Sequence, residues 1–90
     1  MPKIRFEPEA AKQWLALSGD DHPASQRVAA RARDVLRRLE DGERPSTVLF
    51  TDPPLNSVTL TEEWVLLWGD ARLDGERIIA VRYLGPASFA

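Results

Sequence analysis

The sequence contains no cysteine among its 90 residues, which excludes disulfide scaffolds, thiolate metal sites and cysteine nucleophiles. It has one histidine, and its five glycines never cluster into a phosphate-binding loop. The longest uninterrupted apolar run, Trp64–Trp68, has five residues, whereas a membrane-spanning helix needs about 20. We therefore expect a cytoplasmic protein without a membrane segment, a metal ion or a small-molecule cofactor.

The charge balance argues against a protein that mainly binds nucleic acid. Twelve basic residues against fourteen acidic residues give a net charge of −2, and proteins that follow a phosphate backbone usually carry a clear positive surplus. Apolar residues at 43% and charged residues at 29% are ordinary values for a globular protein. The chain is short enough that we expect residues 1–90 to form a single domain.

Hydrophobic periodicity predicts a short strand followed by two helices. Residues 3–6 alternate polar and apolar side chains, as in a strand with one buried face. Pro8 suits the first turn of a helix that continues to about Ser18. From about Ala24 to Asp41, one apolar stripe follows helical spacing through Val28, Ala32, Val35, Leu36 and Leu39. The short break between these segments, where His22 is expected to act as a loop or cap residue, predicts an antiparallel helix hairpin.

The pattern after Pro45 changes to that of strands. Short apolar or alternating runs occur at Thr47–Phe50, Ser57–Thr61, Trp64–Trp68 and Ile78–Leu84. Asp74-Gly75 predicts a two-residue hairpin turn, which places Trp68 opposite Val81 and Leu66 opposite Tyr83. The predicted fold is therefore α+β, with an N-terminal strand, a helix hairpin and then a three- or four-stranded, mainly antiparallel sheet.

This register predicts two unequal sheet faces. The bulkier face, expected beneath the helices, carries Trp64, Leu66, Trp68, Ile79, Val81 and Tyr83. The lighter face carries Leu67, Ala80, Arg82 and Leu84. We expect the lighter face to lie open and to bind a partner segment or a second copy of the chain, with Arg82 pairing with a carboxylate of that partner.

Several segments resemble the RelE/ParE superfamily, the toxin halves of bacterial toxin–antitoxin pairs. They are the opening run of residues 4–10 with Trp14 and Leu17, the helix that ends at Leu39 before Gly42, and the last strand, residues 78–82, before Gly85. The resemblance covers most of the chain and implies the same α+β fold. It also implies an antitoxin or a homo-oligomer as partner, and gyrase or the ribosome with its mRNA as target.

Two alignments with the superfamily compete in the catalytic region. The first matches a Trp-x-Ile-x-x-Gly-Asp-x-Arg stretch to Trp64, Leu66, Gly69, Asp70 and Arg72. It implies that Arg72 faces RNA phosphate. The second uses Val58-Thr59-Leu60 as the middle strand and leaves Trp64 at the arginine position. We favour the second alignment, because the first one removes most of an interior strand.

Cleavage of RNA through its 2′-hydroxyl requires a proton acceptor, stabilisation of phosphate charge and an acid for the leaving group. The catalytic candidates are Arg72, Arg82 and Tyr83, but no histidine, arginine or tyrosine follows Gly85. Candidate nucleic-acid contacts are Arg33 and Arg37 on the arginine-rich second helix, whose arginines otherwise suit ion pairs with neighbouring carboxylates.

Three functions follow from these observations. The leading hypothesis is a toxin-like component that binds an antitoxin and a gyrase-type target and inhibits growth. The second hypothesis is a ribosome-dependent mRNA endonuclease of RelE type, and the third is a catalytically inert interaction module on the same fold.

Overall fold

The computed structural model describes residues 3–43 and 55–87, together with the backbone of residues 47–49. Its elements in chain order are β1 (Lys3–Phe6), α1 (Pro8–Ser18), α2 (Pro23–Glu40), β2 (Thr47–Leu49), β3 (Leu55–Thr61), β4 (Trp64–Leu73) and β5 (Glu76–Pro86). This order confirms the predicted α+β fold, with four strands after the helices. The predicted strand end at Phe50 and the three residues after Ala87 lie outside the described residues.

The five strands of the described chain form one sheet in the order β1-β5-β4-β3-β2. β1 runs parallel to β5, and the other neighbouring strands are antiparallel. β5, the last strand in chain order, therefore lies inside the sheet, between β1 and β4. β3, β4 and β5 are three full strands, as the second alignment expected, and the match of Trp64 to the superfamily's arginine position stays a prediction.

Both helices begin at a proline. Proline has no backbone N–H, but an N–H in the first turn of a helix has no intrahelical acceptor, so no helical hydrogen bond is lost there. The N–H of Glu7, which precedes α1, donates to the carbonyl of Val81 over 2.9 Å and so ties the start of the helix to β5. At the start of α2, Nδ1 of His22 accepts a hydrogen bond from the N–H of Ala24 over 3.1 Å. The expected cap role of His22 is confirmed. Neither described helix is long and apolar enough to cross a membrane.

The core lies between the two helices and one face of the sheet. Its largest fully buried side chains are Trp68, Leu39, Leu66, Ile79, Leu84 and Val81. On α2 the buried residues are Val28, Ala29, Ala32, Val35 and Leu39. The predicted apolar stripe is therefore buried, except that Leu36 is only half-buried at the margin of the core.

The hairpin between β4 and β5 confirms the predicted turn. Asp74 and Gly75 have φ angles of 52° and 82°, and Leu73 pairs with Glu76 across them. Positive φ at both central residues defines a type I′ turn, whose twist matches that of the two strands. Trp68 pairs with Val81, as predicted.

The register shifts immediately beyond this pair. Leu67 pairs with Tyr83 and Leu66 with Leu84, so Arg82 is the additional residue of a β-bulge. The predicted pairing of Leu66 with Tyr83 was wrong. The alternation of polar and apolar residues along a strand does not reveal an inserted residue. A register shift of one residue moves each following side chain to the other face of the sheet.

The bulge places Tyr83 and Leu84 on faces opposite to those predicted. Leu84 is fully buried in the core beneath the helices, on the same face as its partner Leu66. Tyr83 lies beside Leu67 on the face turned away from the helices.

Candidate functional site

Arg82 forms an ion pair inside the domain. Its Nη1 donates to Oε2 of Glu7 over 2.9 Å, and the two side chains are 32% and 42% exposed. Glu7 stands between β1 and α1, so the pair joins the last strand to the start of the first helix. Arg82 was expected to meet a carboxylate of a partner, and the structure gives it an intramolecular one.

Tyr83 is held by residues that follow it on β5. Its hydroxyl donates to the carbonyl of Pro86 over 2.9 Å. A Cβ atom at Gly85 would stand 2.8 Å from the same hydroxyl oxygen and 2.9 Å from Cζ. The phenol ring therefore lies directly over Gly85, and any Cβ atom at this position would require the ring to move.

Arg72 lies at the opposite end of the β4–β5 hairpin. Its Nη1 donates to the carbonyl of Gly75 over 3.1 Å. Arg72 pairs across the strands with Arg77, whose guanidinium lies 3.6 Å from a carboxylate oxygen of Asp70. Arg77 and Arg82 are five positions apart on β5, or roughly 15 Å along an extended strand. The fold therefore does not bring Arg72 and Arg82 together at one phosphate.

The face predicted to lie open is buried in the structure. Leu67 and Ala80 are 5% and 7% exposed, and their neighbours Val65 and Ile78 are also buried. These residues lie outside the core beneath the helices, whereas Leu84 belongs to that core. The four residues predicted to bind a partner thus share no accessible surface.

Three of the five arginines of α2 are arranged around one carboxylate. Arg31, Arg37 and Arg38 approach Asp34 with nitrogen–oxygen distances of 4.0, 2.7 and 3.5 Å. Three guanidinium groups share one negative charge, so the cluster keeps a positive surplus. Arg33 lies elsewhere, 5.4 Å from the ring centroid of Trp14. The two predicted nucleic-acid contacts, Arg33 and Arg37, therefore belong to different local environments.

A groove of about 390 Å³ lies between the first half of α2 and the turn that joins β3 to β4. It is lined on one side by Ala24, Ser25, Arg27 and Val28, and on the other by Thr61, Glu62, Glu63 and Trp64. The sequence alone did not indicate a site formed by these two segments. They are more than thirty positions apart, and only the packing of α2 against β3 brings them together.

A polar cap stands at the start of α2, next to this groove. The carboxylate of Asp20 accepts hydrogen bonds from the N–H of His22 over 3.0 Å and from the hydroxyl of Ser25 over 2.7 Å. These two hydrogen bonds, with the larger effect from His22 and the smaller from Ser25, hold the pKa of Asp20 below its usual value of 3.8. Among the described residues, no group of three or more histidine, aspartate or glutamate side chains is placed to bind a metal ion.

The fold is that of the RelE/ParE-like toxins. A YoeB/ParE toxin from Agrobacterium tumefaciens superposes with a TM-score of 0.74 at 13% identity, over 93% of this chain and 96% of that one. A YoeB dimer from Staphylococcus aureus superposes with a TM-score of 0.71 at 13% identity, over 93% of this chain and 94% of that one. No family model and no curated protein sequence matches the chain. The superpositions confirm the fold that the sequence resemblance implied.

Proposed function

We propose that the chain is the toxin-like component of a bacterial type II toxin–antitoxin pair and that it acts by binding proteins. The fold it shares with two YoeB or YoeB/ParE toxin structures supports the toxin-like role. The proposed mode of action rests on the contacts that the three catalytic candidates make. Arg72, Arg82 and Tyr83 are each engaged within the domain, and they are spread along the β4–β5 hairpin.

These contacts weigh against RNA cleavage. A nuclease of this kind needs a proton acceptor, a cation and an acid close to one phosphate. The charge of Arg82 is offset by Glu7, and the hydroxyl of Tyr83 donates to Pro86. Arg72 is bound to Gly75 at the far end of the hairpin. Inhibition of a protein target requires none of these groups to be free.

The first partner is then an antitoxin, and the target whose inhibition stops growth is a gyrase-type protein. Neither partner requires a cofactor from this chain. A homodimer is a further assembly to consider, because one of the two superposed structures is described as a dimer. Light scattering of the purified chain over a range of concentrations measures this directly.

Controlled expression in a bacterial host tests the proposal. We expect the chain alone to stop growth, and co-expression of the neighbouring reading frame to restore growth and to yield a co-purifying product. The matched control is Leu39→Asp, which places a charge at a fully buried position and should abolish both effects by preventing folding. Unchanged growth without a co-purifying product would overturn the toxin role.

A second pair of assays separates the two modes of action. We expect inhibition of gyrase supercoiling, and no new mRNA ends when primer extension follows translation in vitro. If new mRNA ends appear with the wild-type chain and with Glu7→Ala but not with Arg82→Ala, the chain cleaves RNA. That result would contradict the proposal that it acts by binding proteins. Glu7→Ala is the matched control because it breaks the same ion pair and leaves the arginine in place.

A further inference from the structure

We infer that the groove between α2 and the β3–β4 turn binds an amphipathic segment of another protein, with carboxylates on one flank and apolar side chains at its centre. This inference goes beyond the proposed function, which does not say where on the chain a partner binds. It is carried by the charges on the two walls of the groove, by the apolar floor between them and by the contacts that hold the walls in place.

The helix wall is basic. Arg27 lines the groove, and Arg31 and Arg38 follow on the same flank of α2, one and three helical turns further along. Asp34 lies 4.0 Å from Arg31 and 3.5 Å from Arg38 and offsets only one of these charges. The Nε of Arg31 also donates to the carbonyl of Leu60 over 3.4 Å, which holds this wall against β3.

The floor is apolar and the opposite wall is acidic. Val28 is 4% exposed, and Trp64 is half-buried against the core. Glu62 and Glu63 form the other wall, and both are exposed. The carbonyl of Glu63 accepts a hydrogen bond from the N–H of Ala87 over 2.7 Å, which fastens the turn to the end of β5. The groove is therefore formed before any partner arrives, and binding need not order its walls.

This pattern defines the chemistry of the occupant. Apolar side chains of the segment contact Val28 and Trp64, and its carboxylates lie towards α2. Arg27 and Arg31 are one helical turn apart, about 6 Å along the axis, so two carboxylates with that separation match them. The volume lies near the lower limit of roughly 300–1,000 Å³ for ligand sites, which suits a few side chains of a helix laid in a groove.

Two other occupants fit the walls less well. An RNA carries phosphates along its whole length and would bring some of them against Glu62 and Glu63. A second copy related by a two-fold axis would use the same patch on both copies. It would therefore bring its own Arg27 as well as its own Glu62 and Glu63 to the contact, instead of a mainly acidic segment.

Selection from a phage-displayed library of random peptides, four helical turns long, tests the inference on the whole chain. We expect the enriched peptides to combine leucine, phenylalanine or tryptophan with two or more acidic residues. As synthetic peptides, they should bind the wild-type chain about tenfold more tightly than Arg27→Glu/Arg31→Glu. Replacement of their acidic residues by lysine should reverse this preference and favour the doubly substituted chain.

The matched control is Lys3→Glu/Lys12→Glu, which makes the same change in net charge at exposed positions away from the groove and should leave peptide affinity within about twofold. Ala24→Phe, which fills the groove without a change of charge, should also lose binding. Circular dichroism verifies that each variant is folded. Peptides without an acidic bias, or peptides that bind Arg27→Glu/Arg31→Glu and Ala24→Phe as tightly as they bind the wild-type chain, would overturn the inference.

Two further outcomes would also overturn it. Displacement of the peptides by poly(U) would assign the groove to nucleic acid. A wild-type dimer that Arg27→Glu/Arg31→Glu converts to a monomer would assign it to a second copy. Peptide selection does not require toxicity, so its outcome is independent of the growth experiment. Failure of the proposed function and failure of this inference can therefore be distinguished.

Discussion

Arg82 and Glu7 form an ion pair of 2.9 Å although they are 75 positions apart in the sequence. The parallel pairing of β1 with β5 places Phe6 opposite Val81, and the N–H of Glu7 extends this ladder by donating to the carbonyl of Val81. Glu7 and Arg82 are the next residues of their respective segments. The ion pair thus closes the end of the parallel ladder and fixes where α1 leaves the sheet.

Loss of this ion pair should lower stability. Both side chains are partly exposed, so a double-mutant cycle with Arg82→Ala and Glu7→Gln should give a coupling of about 0.5–1 kcal/mol. Arg82→Glu should lower the melting temperature more than Arg82→Ala does, because it brings two carboxylates together. Urea denaturation and thermal melting measure both effects, and an unchanged melting temperature for Arg82→Glu would mean that the pair does not form in solution.

Leu36 and Leu39 on α2 should differ in their contribution to stability. Leu39 is fully buried and Leu36 is half-buried. Leu39→Ala should cost about 2–5 kcal/mol, the range for truncation of a core leucine. Leu36→Ala should cost only about 1 kcal/mol, because much of its side chain already contacts water. Chemical denaturation of the two variants in parallel measures the difference, and equal losses would show that Leu36 packs more deeply than the structure places it.

Gly85→Ala should displace the ring of Tyr83. The new methyl group would stand 2.8 Å from the hydroxyl oxygen, so the ring must swing away and give up its hydrogen bond to Pro86. We expect a loss of about 1–2 kcal/mol in the free energy of unfolding. In a Tyr83→Ala background the same glycine substitution should cost much less, since the obstructing ring is absent. Equal costs in both backgrounds would place the strain in the backbone of β5 instead.

The cap at Asp20 should add a pH-dependent contribution to stability. Its pKa in the folded chain is lowered below 3.8 by the hydrogen bonds from His22 and Ser25. Because the folded pKa is lower than the unfolded one, the contribution is complete above the unfolded pKa and is lost as the pH falls through the folded pKa. The melting temperatures of wild type and Asp20→Asn should therefore differ at neutral pH and converge below about pH 4. A constant difference down to acidic pH would contradict this assignment.

The parts of the fold that depend on local pattern were predicted correctly. The stripe on α2, the prolines at the helix starts and the Asp74-Gly75 turn each act over a few residues. They sufficed to place Trp68 opposite Val81. The composition of the turn sets its geometry, and the turn sets the first pairs of the hairpin.

The candidate site was predicted less well, because it depends on one inserted residue and on distant contacts. Residues 81–84 contain no glycine or other sequence signal of a bulge, so Tyr83 and Leu84 were each assigned to the wrong face of the sheet. The carboxylate partner of Arg82 is Glu7, which lies between β1 and α1 at the other end of the chain. The groove likewise combines Arg27 with Glu62, and no periodicity connects two segments that meet only in the folded domain.

The position of β5 between β1 and β4 also governs the order in which the protein can fold during its synthesis. Both helices and four strands leave the ribosome before β5, and β1 has no other neighbour in the sheet. Contacts between such distant segments form late, and apolar surface stays exposed to chaperones until they do. A nascent chain that has reached only the Asp74-Gly75 turn already contains both helices, yet β1 still has no strand with which to pair.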